Sequence, residues 1–142
     1  MKNIYSILLD EFEKGIPLAI ATIVETKGST PQVQGSSAIF SSAGLISGTL
    51  GGGILEAKAQ VNAIEAIRHK SSVIFEADMD SGISDQESAI CGGKAIILID
   101  AIPEKHIEVF LDLTTSLKNN LPGTLITKFQ RTSGGQTEIR RD

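Results

Sequence analysis

Gly48-Thr49-Leu50-Gly51-Gly52-Gly53-Ile54-Leu55-Glu56 is the stretch on which the fold turns. Upstream of it, Leu45 to Thr49 has the length and composition of a strand. Downstream, Ile54, Ala57, Val61, Ile64 and Ile67 recur at helical spacing, which predicts a helix to about Lys70. A strand that passes into a helix through a glycine cluster is the basic joint of an α/β architecture. Such a joint leaves backbone N–H groups unobstructed at the positive end of the helix dipole, a favourable place for a phosphate or another anion. Glycines also occur where a tight turn needs positive φ, so the spacing alone leaves a purely structural role open.

Outward from this joint the alternation continues. Ile4, Ile7, Leu8 and Phe12 share a helical face that ends at Gly15 and Pro17, and Leu18 to Val24 reads as a strand buried on both faces. Glu25 to Gln34 lacks any apolar period and is expected to be an exposed loop. Ser36 to Phe40 forms a hairpin with the strand at Leu45, turning at Ser41 to Gly44. Beyond the central helix, Val73 to Ala77 and Ala95 to Ile99 read as strands, separated by a long acidic loop from Asp78 to Cys91. Ile107, Phe110, Leu111, Thr114 and Leu117 mark a third helix. Thr124 to Phe129 and Gln136 to Arg140 suggest a last hairpin about Ser133-Gly134-Gly135. The expectation is one α/β domain with a mixed sheet and about three helices.

Composition narrows the class. The 142 residues are 41% hydrophobic and 21% charged, with 14 glycines and a net charge of −4, as in ordinary globular proteins. Aromatics make up 4%, without tryptophan, so neither a basic face nor a stacking platform suggests a nucleic-acid binder. No apolar run approaches the length of a membrane span, and Asp10, Glu11 and Glu13 interrupt the amino-terminal one before it could serve as a signal core. A cytoplasmic protein is expected. The single cysteine, Cys91, has no intrachain disulfide partner and no companion cysteine for zinc.

Two further segments could carry chemistry. Thr26-Lys27-Gly28-Ser29-Thr30-Pro31 offers one cation and three hydroxyls to an anionic ligand, although the same residues suit an ordinary solvated loop. Cys91-Gly92-Gly93 places a thiol beside unhindered backbone, where a thiolate would be a soft ligand or a nucleophile; most lone cysteines are simply packed. Other patterns fail. Ile54 and Leu55 stand where a P-loop needs Lys and Ser or Thr, and Glu56 replaces the last glycine of a dinucleotide fingerprint. Glu76, Asp78, Asp80, Asp85 and Glu87 do not fit a calcium loop, because Gly82 falls one position early. His69 and His106 are isolated and are expected at the surface.

Taken in order, Thr26 to Pro31, Gly48 to Gly53 with Glu56, and Cys91 to Gly93 resemble the amino-terminal domain of the XdhC/CoxI family, accessory proteins of xanthine dehydrogenase and related molybdenum hydroxylases. The resemblance covers about residues 1 to 102. It implies a maturation factor that binds and protects the molybdenum cofactor, assists its sulfuration by a cysteine desulfurase, and delivers it to the apo-hydroxylase. It further implies cofactor-binding roles for Lys27, Gly28, Ser29, Thr30, Thr49, Gly51, Gly52, Gly53, Glu56, Cys91, Gly92 and Gly93. In that scheme Cys91 faces the metal or the incoming sulfur, and no residue turns over a substrate.

Two departures qualify the resemblance. Gln32 follows Pro31 where the family often has arginine, and typical members continue into a Rossmann-like domain. Residues 103 to 142 are expected to extend the same domain, leading toward such a domain or a partner chain, with Arg131, Arg140 and Arg141 either contacting it or solvated. A homodimer through the terminal hairpin is expected. Two rival readings are an oxidoreductase subunit using Cys91 and a regulatory module that binds a phosphorylated metabolite.

Overall fold

The computed structural model describes residues 2–79 and 92–142. Along them run α1 (Ile4–Glu13), β1 (Leu18–Lys27), β2 (Ser37–Ser41), β3 (Gly44–Gly48), α2 (Gly53–His69), β4 (Val73–Asp78), β5 (Lys94–Asp100), α3 (Ile107–Lys118), β6 (Thr127–Arg131) and β7 (Thr137–Arg141). A short 3-10 turn over Pro103–His106 precedes α3. The expected α/β class with three helices is what the structure shows. Its main sheet has the order β3-β2-β1-β5-β4, and β6 and β7 form a separate hairpin. The sheet expected to be mixed pairs antiparallel at all four junctions. Strand direction therefore alternates across the sheet, and α2 carries the chain from the β3 edge to the β4 edge.

Strand alternation divides the core in two. Ala19, Ala21 and Ile23 of β1, Ala38 and Phe40 of β2, and Ala95, Ile97 and Ile99 of β5 form one cluster with α2. Leu18 and Ile39 belong to a second cluster with Leu8 of α1 and Phe110 of α3. A strand buried on both faces is thus confirmed for the first half of β1. Its second half corrects the expected loop, because β1 continues through Glu25, Thr26 and Lys27. These pair with Ile96, Ala95 and Lys94 beyond a bulge between Ile23 and Glu25. Backbone pairing to β5 holds them in the sheet although their side chains give no strand signal.

The apolar stripe predicted for α2 is buried only in part: Ile67 reaches the core and Ile54 and Ile64 are half-buried. Leu55, Ala59, Ala63, Ala66 and Ile67 are buried, whereas Val61 is 64% exposed and Ala57 is exposed. Small side chains let the helix lie close to the alanine-rich strands, so packing selects alanines over the larger residues. In α3 only Phe110 of the expected stripe is fully buried; Ile107, Leu111 and Leu117 are exposed. Phe110 stacks on Tyr5 of α1 at 5.7 Å between ring centres, and this contact anchors the helix.

Helix ends follow local chemistry. Asn3 caps α1, its Oδ1 accepting from the Ser6 N–H at 2.9 Å. At the other end of α2, Lys70 adopts the left-handed region (φ 49°), and the Ser71 N–H reaches back to the Ala66 carbonyl at 3.1 Å. None of the described helices is long and apolar enough to cross a membrane.

Candidate functional site at the glycine-rich end of the sheet

The end of the sheet where β1 and β3 finish and β5 begins brings together segments far apart in sequence. Gly93 lies so close to the following turn of β1 that a Cβ there would run into the Ser29 carbonyl oxygen and come within 2.7 Å of the Lys27 carbonyl oxygen. A Cβ on Gly28 would in turn lie 3.2 Å from the Gly93 Cα. The two segments are therefore packed backbone to backbone, a contact only glycine permits. On the other side, Gly51 sits at φ 103°, and a Cβ there would meet Pro31 at 2.5 Å. The loop after β1 is thus wedged between the other two predicted motifs.

The joint between β3 and α2 is braced by its own side chains. The Gly51 N–H donates to Thr49 Oγ1 at 3.0 Å, and the Leu50 N–H donates to Glu56 Oε1 at 3.1 Å. Leu50 itself is completely buried. Gly52 is the N-cap of α2 and offers no side chain to the first turn. Gly53, at φ 56°, is exposed, with no heavy atom within 4 Å of the place a Cβ would occupy. The start of α2 therefore presents open backbone with the positive end of its dipole. Glu56 occupies the first turn and engages Leu50, so in this geometry Thr49 and Glu56 hold the joint together.

Around this joint Lys27 and Ser29 are exposed, whereas the Thr30 hydroxyl donates to the Gln32 carbonyl at 2.8 Å. Lys27 lies opposite Lys94 in the β1–β5 register. Among the described residues, Lys27 pairs with Glu25 at 3.9 Å and Lys94 with Glu76 at 3.4 Å, both at the surface. Such exposed pairs are weak and leave both ammonium groups accessible. Sequence reasoning missed Lys94, which has no motif, and Lys58, whose Nζ donates to the Asp78 carbonyl at 2.8 Å and ties α2 to the end of β4. Only the cross-strand register brings Lys94 here. Gly92 is exposed and Gly93 buried. Of the acidic loop expected from Asp78 to Cys91, Asp78 instead ends β4 and Met79 is buried; the remainder, with Asp80, Gly82, Asp85, Glu87 and Cys91, lies outside the described residues. No metal-binding cluster occurs among the described residues.

The opposite end of the sheet corrects two expectations. Arg141 is not solvated; it is buried and pairs with Asp100, itself 3% exposed. Asp100 Oδ1 also accepts from the Ile102 N–H at 2.9 Å, and the Arg141 guanidinium lies 5.3 Å from the centre of the Phe110 ring. His106 is not a surface histidine either. Its Nδ1 is 3.2 Å from Arg141 Nη1, and burial together with the neighbouring Arg141 charge holds its pKa below the ordinary value of 6.5. Burial also raises the pKa of Tyr5.

Comparison with known proteins bears on the glycine-rich end. Residues 12–77 match the model of the XdhC and CoxI family. An uncharacterized protein of Escherichia coli (strain K12), YqeB, is 30% identical over 97 residues, which is 68% of this chain and 18% of YqeB. A crystal structure described as a xanthine dehydrogenase from Bacillus halodurans superposes with a TM-score of 0.73 at 19% identity, covering 97% of this chain and 41% of that one. The chain thus spans less than half the length of either protein.

Proposed function

We propose that this chain, whose residues 12–77 belong to the XdhC and CoxI family, is an accessory module that binds the molybdenum cofactor during maturation of xanthine dehydrogenase or a related molybdenum hydroxylase. The observation that carries this reading is the convergence of the three motif segments on one end of the sheet. Gly28 and Gly93 interlock, and Pro31 is wedged against Gly51.

The residues suit the group. When bound, the cofactor supplies a phosphate, a polar pterin and a soft dithiolene-held metal. Lys27 and Lys94 provide positive charge for an anion, and Ser29 provides an exposed hydroxyl. The unobstructed backbone at Gly53, beside the N-cap Gly52, offers N–H donors at the helix start. Cys91, next to Gly92 in the chain, supplies a thiol of the softness a molybdenum or sulfur contact requires. Gly28, Thr30, Thr49, Gly51, Glu56 and Gly93 act by holding these donors in place. Under this reading the module passes the cofactor to an apo-hydroxylase after a cysteine desulfurase has acted, without turning over a substrate itself.

Anaerobic gel filtration with released molybdenum cofactor tests the reading, with molybdenum and pterin assayed in the protein peak. Wild type is expected to retain both. Lys27→Ala is expected to weaken retention of pterin and metal together, and Cys91→Ser to lower molybdenum relative to pterin. A wild-type peak free of both would overturn the proposal for this chain.

A further inference from the structure

A cavity of about 440 Å³ opens at the other end of the molecule, between the end of α2, the end of β5 and the β6–β7 hairpin. Its volume falls within the range of small-molecule sites. Three cations line it: Lys70, Lys105 and Arg140. Among the described residues no carboxylate lies within ion-pairing distance of any of them. The acids in the wall do not balance them. Asp100 is neutralised by buried Arg141, which among the described residues leaves Glu138, whose carboxylate accepts from Gln130 at 3.3 Å.

The remainder of the lining fixes the kind of body the anion would carry. Ser71, Gln136 and Thr137 offer uncharged hydrogen-bonding groups whose side chains have no bonding partner among the described residues. No Phe, Tyr or Trp lines the cavity among the described residues, so none of them forms a stacking platform for a nucleobase there. We infer that this cavity binds a small, hydroxyl-rich anion of the sugar phosphate or sugar acid class, held by Lys70, Lys105 and Arg140 through charge-assisted hydrogen bonds. Burial is the main cause of the depressed pKa of His106, and the Arg141 and Lys105 charges add to it. This site is separate from the glycine-rich end and does not rest on the cofactor reading.

Amide chemical-shift titration of the whole chain with ribose 5-phosphate, gluconate and inorganic phosphate tests the inference. Saturable shifts are expected at residues 69–72, 100–106 and 136–140 with ribose 5-phosphate or gluconate, and the tighter of the two identifies the anionic group. Replacing Lys105→Gln and Arg140→Gln together should weaken binding by about tenfold or more, since each removes a charged donor. Lys118→Gln, on exposed α3, should leave it unchanged. An absence of saturable shifts up to about 10 mM, beyond the millimolar range of weak binding, would overturn the inference. So would shifts centred on residues 48–56, or equal affinity for inorganic phosphate alone.

Discussion

The two ends of the main sheet are specified in opposite ways. At one end Gly28, Gly51 and Gly93 allow three chain segments to close on one another, and order comes from side chains that are absent. At the other, buried Asp100 and Arg141 and half-buried His106 form a polar cluster beside the Tyr5–Phe110 stack, and order comes from side chains that must all be present. The contrast teaches that the first end fails by addition and the second by deletion. A Cβ at Gly93 must displace backbone, whereas loss of Arg141 leaves a buried carboxylate without its charge partner.

The sharpest way to break this contrast is at the ionic end. Arg141→Met is expected to destabilise the fold by about 3–5 kcal/mol, the range for stranding one member of a buried pair. Urea denaturation would measure it. Adding Asp100→Asn to that variant should recover part of the loss; no recovery would mean that Arg141 acts through packing on Phe110 and not through charge. Next in size is Gly93→Ala, expected to cost about 1–3 kcal/mol as an overpacked contact and to weaken cofactor retention. Gly53→Ala supplies its control. Nothing obstructs a Cβ there, so only the left-handed backbone penalty of about 1 kcal/mol applies. Equal losses at the two glycines would dissolve the distinction between contact and conformation.

The smallest effect is the pH dependence of the ionic end. With its folded pKa below 6.5, His106 binds fewer protons in the native than in the unfolded state at mildly acid pH. Its contribution to stability is therefore complete above about pH 6.5 and declines as pH falls toward the folded value. Thermal unfolding of wild type and His106→Asn across that window should show a shallower slope for the variant. Parallel slopes would remove His106 from the account.

Much of the first end was legible in the sequence and little of the second. Glycine clusters at strand ends are local signals, and three of them in order marked the segments that meet. Which atoms meet was not legible, because the Gly28–Gly93 contact depends on β5 entering the sheet beside β1. The same strand exchange hid Lys94 and drew Glu25 to Lys27 into β1 although they resemble loop. The Asp100–Arg141 pair spans 41 residues and carries no spacing rule. The face of α2 was misread in part for another reason: hydrophobic periodicity weights Ile and Val, while this interface is built on Ala59, Ala63 and Ala66. Helix existence follows from pattern, but which stripe is buried follows from the depth of the surface it meets.

The sequence distance between Asp100 and Arg141 also places a clock on the molecule. During synthesis at about 5–20 residues per second, Asp100 precedes Arg141 from the ribosome by about 2–8 s. All five strands of the main sheet have emerged by then, yet the carboxylate at the end of β5 still lacks its guanidinium. Ribosome-bound chains stalled with residue 141 inside the tunnel are therefore expected to be digested faster than chains stalled beyond it. In the nascent chain, β7 is thus the latch that closes over the end of β5 after the main sheet has emerged.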